Sequence, residues 1–441
     1  MVKLLHLSDL HIVGNPHWGN MRDAILQFAA ENFSELEPGE KLLVLTGDFH
    51  NYEQDGYRRA SEFLKELFVT MRIDPAEDVF AVPGNHDVFA SPDPASQQSR
   101  KLIFDYIKSD EKNRDALNEE GDFRNYALPV LLNSYGPYVQ FVQKMKIYGE
   151  SVGNLPVQVH VRTWRDKLRI LHLNTTLIAD GESKTDQMAD TLTAVSDDIK
   201  KRMQGDLPCI AIGHNSYKDL TERQQNEELR NVFYYRNISA YLCGDRHKTD
   251  DERAERTINL GTSNNAVQIY NIVAPRGSAD GKDRHSEFGF LVHEWDENTG
   301  DVQCFLARWR SNNPMIKLDK EEPYVSYPFR SDLQRKDGTD THSGTTKQSD
   351  FSLFERHLSD VFREYGYRAE ISRLYFAATQ MLDTLNRQDT RFVEKADAFS
   401  IFKRYLRKTI EETENDWEDL RPGRLERVRK LEELLDDLRA I

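Results

Sequence analysis

The chain has 441 residues, 38% of them hydrophobic and 30% charged, with a formal net charge of −15. That length allows two or three domains with a full core, and the balance excludes a disordered or fibrous chain. An acidic total argues against a protein that coats nucleic acid through a basic face, although bound divalent cations or a local basic groove can invert the field over such a surface.

No apolar run approaches the ~20 residues that span a bilayer. Met1 leads at once into Lys3-Leu-Leu-His-Leu-Ser-Asp9, with no apolar leader and no small-residue cleavage site. The three cysteines, Cys209, Cys243 and Cys304, are widely spaced and odd in number. These features read as a cytoplasmic chain in a reducing compartment, without a membrane partner.

Residues 4–7 form a short apolar run that ends at Ser8 and Asp9, and Met21, Ile25, Phe28 and Ala29 then follow a helical period. A second strand, 41–46, ends at Gly47-Asp48, and a second helix carries Ala60, Phe63, Leu64 and Leu67. A third strand, 79–82, ends at Pro83-Gly84-Asn85-His86-Asp87. Buried-type strands alternating with helices are the α/β pattern of a mostly parallel sheet, in which function collects at the carboxyl ends of the strands.

Residues 90–155 are rich in aromatics and read as a helical insertion over the sheet edge. Strands are expected again at 157–161, 168–173, 209–212 and 239–243, with a closing hairpin over 288–295 and 302–308. Residues 331–349 hold a single apolar side chain, Leu333, and read as a linker. Four helical stripes follow, so that 1–330 reads as one domain and 350–441 as an all-α C-terminal domain.

Five strand ends carry polar clusters: Asp9-Leu-His11, Gly47-Asp48, Gly84-Asn85-His86-Asp87, Gly213-His214 and Gly244-Asp-Arg-His247. A lone His or Asp at a strand end is an ordinary cap, but five such clusters on five strands, read as lying in one sheet, point to a shared centre. Carboxylate, imidazole and amide oxygen together suit Mn²⁺, Fe or Zn²⁺. The chain has no GxSxG elbow, no GxxxxGK[ST] loop and no dinucleotide-binding glycine fingerprint after a strand. Cys209 and Cys243 lie in apolar strands and read as buried, inert thiols.

The ordered set D-x-H, GD, GNHD, GH and a G-x-x-H variant resembles the calcineurin-like metallophosphoesterase superfamily over roughly residues 1–310, GNHD being the most specific piece. The resemblance implies a four-layer α/β/β/α sandwich with a dinuclear centre. Asp9, His11 and His247 would hold one metal, Asn85, His214 and Asp245 the other, and Asp48 would bridge both. It further implies a bridging hydroxide as nucleophile, His86 over the phosphate to protonate or steady the leaving oxygen, and Asp87 orienting His86 by a hydrogen bond. The family usually has G-H-x-H in its last motif; Asp245 replaces the first histidine here, either as a harder ligand that shifts preference toward Mn²⁺ or Mg²⁺, or as a residue orienting His247.

Other polar residues have two readings. His6 is expected in the core. His50 either reaches the metals or sits on a solvated loop, and His17 and Trp18 either line a cleft or cover the core. His172 and Asn174 lie at a strand end that can contact substrate. Arg246 either binds a phosphate oxygen or makes a surface ion pair.

The expected activity is therefore metal-dependent phosphoester hydrolysis through two divalent cations, Mn²⁺ first and Mg²⁺, Fe or Zn²⁺ next. The substrate would be a phosphodiester of a nucleotide or nucleic acid. An alternative is a nuclease subunit working with a partner ATPase through the helical tail, which holds 17 Lys and Arg against 20 Asp and Glu and so has no net basic character. A non-enzymatic alternative is a binding scaffold on the same fold.

Overall fold

A strand buried on both faces carries apolar side chains at successive positions, and the first three strands do so. The computed structural model describes residues 1–329 apart from 13–15, 51–54, 89–93, 110–112, 114, 150–152, 154, 180–186, 246–256, 261–266, 275–286, 311–312, 319 and 321–322. The expected linker and the helical C-terminal domain lie outside the described residues, as do Arg246 and His247. Among the described residues no helix is long and apolar enough to cross a membrane.

Strands β1 (Val2–Leu7), β2 (Lys41–Leu45) and β3 (Val79–Ala81) run parallel to one another. The sheet extends from β1 through antiparallel β10 (Glu287–Trp295) and β11 (Asp301–Arg310), the expected hairpin. Strands β12 (Asn313–Leu318) and β13 (Val325–Pro328) both pair with β11. A second sheet has the order β4-β5-β6-β7-β9-β8. Its strands are β4 (His160–Trp164), β5 (Leu168–His172), β6 (Cys209–Ile212), β7 (Ile238–Cys243), β8 (Thr257–Leu260) and β9 (Val267–Val273). In it β5, β6, β7 and β9 are parallel and β4 is antiparallel.

Two expectations are corrected here. The polar clusters do not share one mostly parallel sheet: three end strands of the first sheet and two end strands of the second. The strand expected at 157–161 begins only at His160, because Leu155–Val157 is a turn of 3₁₀ helix; an apolar triplet with Pro156 in its middle cannot donate a full ladder.

The two-residue period sorts the side chains. Leu5, Leu7, Leu43, Leu45 and Ala81 pack on helices α1 (Pro16–Phe33) and α2 (Gly56–Met71) through Ile25, Phe28, Phe63 and Leu67. Val2, Leu4, Leu42, Val44 and Phe80 face the other way, onto Ile170, Ile210, Ile212 and Leu242 of the second sheet. The second sheet's outer face is covered in turn, with Phe233 of helix Leu229–Tyr235 lying 5.2 Å from the Tyr241 ring. Helix, sheet, sheet and helix therefore follow one another. Between β3 and β4 lie helices Pro94–Ser109, Asp122–Asn133 and Gly136–Lys144.

The sheets are stapled together at the amino end of β3. Buried Asp78 accepts from Trp164 Nε1 (3.1 Å) and from Arg165 Nε (2.6 Å) and Nη2 (2.9 Å), while Arg162 donates to the Val79 carbonyl at 2.8 Å and lies over the Phe80 ring. Between the sheets lie histidines. His6 bonds Thr46 Oγ1 through Nε2 (3.0 Å), and His160 stacks on His172 at 4.1 Å between centroids. Burial lowers the pKa of both His6 and His160 to about 3. The folded chain thus refuses protons that the unfolded chain takes up at about pH 6.5. Stability is fully present above that pH and falls as pH drops toward 3. We expect these two histidines to remove about 2 kcal/mol each between pH 7.5 and pH 5. Urea unfolding at the two pH values checks this, and a midpoint that stays constant or rises on acidification overturns it.

Candidate metal centre

Each cluster sits where a parallel strand ends, so the first sheet delivers Asp9, His11, Asp48 and Asn85, and the second delivers His214 and Asp245. The structure brings these six side chains and His86 together. Asp48 Oδ2 lies 3.5 Å from His214 Nε2 and 3.7 Å from both His11 Nε2 and His86 Nε2. His11 Nε2 is also 3.7 Å from Asp9 Oδ1, and His214 Nε2 is 2.9 Å from Asn85 Oδ1 and 3.7 Å from Asp245 Oδ1. Asp48 is 1% exposed at its side chain and His86 is 17% exposed, so His86 is the imidazole nearest the open side of this group.

The backbone is bent to allow the convergence. Asp9 (φ 52°), His11 (41°), Asp48 (56°) and Asp245 (67°) all adopt the left-handed region, where a non-glycine residue is held only by surrounding structure. The holding bonds are visible: Asp9 N–H donates to Gly47 O at 3.1 Å and His11 N–H to Asp48 O at 3.0 Å. Two glycines are needed for close approach. A Cβ at Gly84 would overlap the Asp48 carboxylate and backbone, and one at Gly244 would overlap the Ser8 hydroxyl and meet Asp9 Oδ2 at 2.5 Å.

Three carboxylates and three imidazoles in one buried place perturb each other's protons. Burial, with Asp9, Asp87 and Asp245 nearby, pushes Asp48 well above the usual carboxylate range against the pull of His214. Burial works against charge on His214, but Asp48, Asp245 and Asp9 outweigh it and raise its pKa well above the ordinary value. Asp245 is held low despite its burial by His214 and Asn215. His86 is lowered to about 2, first by burial and then by His11 and His214.

This donor set fits divalent cations. In each of two groups, His11 with Asp48 and His86, and Asp9 with Asp48 and His214, the potential ligand atoms all lie within 4.8 Å of one another. Asp48 belongs to both, and among the described residues its ion-pair partners are the imidazoles of His11, His86 and His214. His214 Nδ1 donates to the Thr46 carbonyl at 2.6 Å, which leaves Nε2 as the nitrogen that faces Asp48, Asn85 and Asp245. Hard oxygens with borderline imidazoles are the chemistry of Mn²⁺, Fe or Zn²⁺.

Several expected roles change. Asp87 does not orient His86: its Oδ2 accepts from Gly84 N–H (2.7 Å) and Asp48 N–H (3.0 Å), and its Oδ1 from the Tyr57 hydroxyl (2.9 Å). It ties the GD loop to the GNHD loop because two converging N–H groups claim the carboxylate first. Asn174 is buried and its amide serves the fold, accepting from Thr176 N–H (3.1 Å) and the Tyr135 hydroxyl (3.2 Å) and donating to Val157 O (3.1 Å). His172 lies in the inter-sheet core, and His50 is buried rather than solvated, its ring 4.4 Å from that of Tyr57. Sequence reading gave no role to Tyr57, Thr175 or Asn215; Asn215 follows His214 directly in the chain, whereas Tyr57 and Thr175 reach the site through hydrogen bonds to Asp87 and to the His214 and Asn215 amides.

Tyr57 gives a direct test of this bracing. Replacing it with Phe keeps the ring stacked on Phe141 (4.8 Å) and removes only the bond to Asp87. We expect Tyr57→Phe to cost about 2 kcal/mol in urea unfolding, the usual range for a hydrogen bond to a charged group. An unchanged stability would show that Asp87 needs no third partner.

The family model for calcineurin-like phosphoesterase matches residues 2–249. A protein of Arabidopsis thaliana that carries the name metallophosphoesterase is 24% identical over 292 residues, which is 61% of this chain and 36% of that protein. This chain therefore spans about a third of that relative's length. Among solved structures, purple acid phosphatase PPD1 of yellow lupin has 11% identity and a TM-score of 0.38, covering 74% of this chain and 53% of the phosphatase. A protein of Staphylococcus aureus that carries the name 5′-nucleotidase has 12% identity and a TM-score of 0.34, covering 80% of this chain and 57% of the other. The family match takes in more than half of the chain and runs from the Asp9 motif through the motif that holds Asp245 and His247, so this chain belongs to the calcineurin-like phosphoesterase family.

Proposed function

We propose that this chain is a metal-dependent hydrolase of phosphoric esters that acts on small diesters of the nucleotide class. The observation that carries this reading is the Asp48 carboxylate, which is common to two groups of metal-type donors and has, among the described residues, the imidazoles of His11, His86 and His214 within 3.7 Å. Asp9, His11 and His247 would hold one divalent cation and Asn85, His214 and Asp245 the other, with Asp48 shared. Bound there, such a pair supplies Lewis-acid neutralisation of phosphoryl charge and acidifies a water.

The chain's own residues do the rest. Asp9, Asp48 and Asp245 repel any phosphate while their charge is uncompensated, so substrate binding as well as turnover depends on the metals. His86, with its pKa lowered to about 2, stays a neutral imidazole at working pH. It therefore steadies the departing ester oxygen as an N–H donor and carries no fixed charge. A net charge of −15 disfavours a long polyanion relative to a compact diester.

A substrate panel with Mn²⁺ tests the reading. Bis-p-nitrophenyl phosphate and cyclic or linear dinucleotide diesters should be hydrolysed faster than duplex DNA or RNA. His86→Ala should lose about 100-fold in kcat while Mn²⁺ binding survives, whereas Asp48→Asn should lose both. A wild-type chain that binds no divalent cation and cleaves no phosphoester would instead support the scaffold reading, and rapid, salt-sensitive cleavage of DNA would support the nuclease.

The metal preference follows from Asp245. An anionic oxygen in place of imidazole favours Mn²⁺ or Mg²⁺ over Zn²⁺ at the second position. Metal replacement should give the best turnover with Mn²⁺, and Asp245→His should move the optimum toward Zn²⁺. A wild type most active with Zn²⁺ would refute the assignment.

A further inference from the structure

Asp245 departs from its family's pattern, and the structure surrounds it with an arrangement built for a carboxylate. Its Oδ2 accepts from Asn215 Nδ2 at 2.8 Å, which leaves Oδ1 as the oxygen facing His214 Nε2 at 3.7 Å. Asn215 is itself buried and fixed. Its Oδ1 accepts from the Thr175 hydroxyl at 3.1 Å, so the amide can turn only its NH₂ toward Asp245.

The single hydroxyl proton of Thr175 goes to Asn215, and its oxygen accepts the backbone N–H groups of His214 (3.1 Å) and Asn215 (3.0 Å). The Asn215 carbonyl is held in turn by the Tyr241 hydroxyl at 2.7 Å. One threonine in the loop after β5 therefore sets the His214 backbone directly and the Asp245 carboxylate through Asn215. An imidazole at position 245 would bring its own rigid ring, whereas a carboxylate rotates and has two equivalent oxygens. A donor on one oxygen removes that freedom.

We propose that Thr175 and Asn215 are positioning residues that present a single oxygen of Asp245 to the second cation, and so make an aspartate workable where the family has histidine. This rests on the metal-binding reading above and deepens it. Asn215 acts through its hydrogen bond to Asp245 and is not itself a ligand.

The test is a double-mutant cycle read by calorimetric titration of the purified full chain with Mn²⁺ alone. Asn215→Ala should weaken the second Mn²⁺ step by about tenfold or more, the usual effect of removing a group that orients a metal ligand, and leave the first step unchanged. In an Asp245→Ala background the same change should cost nothing further. Asn215→Asp, which retains the acceptor toward Thr175 but sets an oxygen against Asp245, should weaken the second step more than alanine does. Equal losses in both backgrounds, or losses at both steps, would show that Asn215 serves only the fold and overturn the proposal. Should Asn215→Ala unfold, a second step undiminished in Asn215→Asp would overturn it equally. A wild type that binds no Mn²⁺ would instead overturn the metal-binding reading itself.

Discussion

The structure turns on one buried carboxylate. Asp48 sits between two sheets, almost without solvent, with three imidazoles within 3.7 Å and further carboxylates behind them. Burying a charge is costly unless it is paired and hydrogen-bonded. The fold meets that cost partly with the backbone N–H of His86, which donates to Asp48 Oδ1 at 2.9 Å, and partly with the imidazoles. Divalent cations are the natural remaining counter-charge for such a group, and this is why the crowding of these residues defines the chemistry of the site.

Holding the arrangement requires a brace from each side. On the first sheet, Asp87 gathers the backbone N–H groups of Asp48 and Gly84 and is itself steadied by Tyr57 from α2. On the second, Thr175 gathers the N–H groups of His214 and Asn215. Both braces use the same device, a polar side chain spanning two loop amides, and both leave the ligating atoms free to point inward. The left-handed backbone at Asp9, His11, Asp48 and Asp245 is tolerated because these bonds, and the packed layers beneath, over-determine it. The Asp78 staple with Trp164 and Arg165 keeps the sheets from sliding, which matters because the site belongs to neither sheet alone.

Much of this was legible in the sequence. Strand 209–212 falls where its apolar run predicts, and the strand-end clusters name the converging residues, because a strand's hydrophobic run and its polar terminus are local properties. The assignment of those clusters to one sheet failed, since strand order and sheet membership depend on long-range pairing that no window of sequence contains. The Asp87 role failed for a related reason: adjacency to His86 suggested a local bond, but the carboxylate is claimed by amides brought from Asp48 and Gly84.

The amino-acid sequence alone determined which chemistry is available: hard oxygens and imidazoles at strand ends, glycines at the close approaches, and an aspartate where a histidine is usual. Tertiary structure decided which oxygen of each carboxylate faces inward and which nitrogen of His214 remains for a metal. It also decided that Tyr57, Thr175 and Asn215 belong to the site. The physical reason is that a ligand's identity is a property of one side chain, whereas its orientation is set by hydrogen-bond partners supplied from elsewhere in the chain.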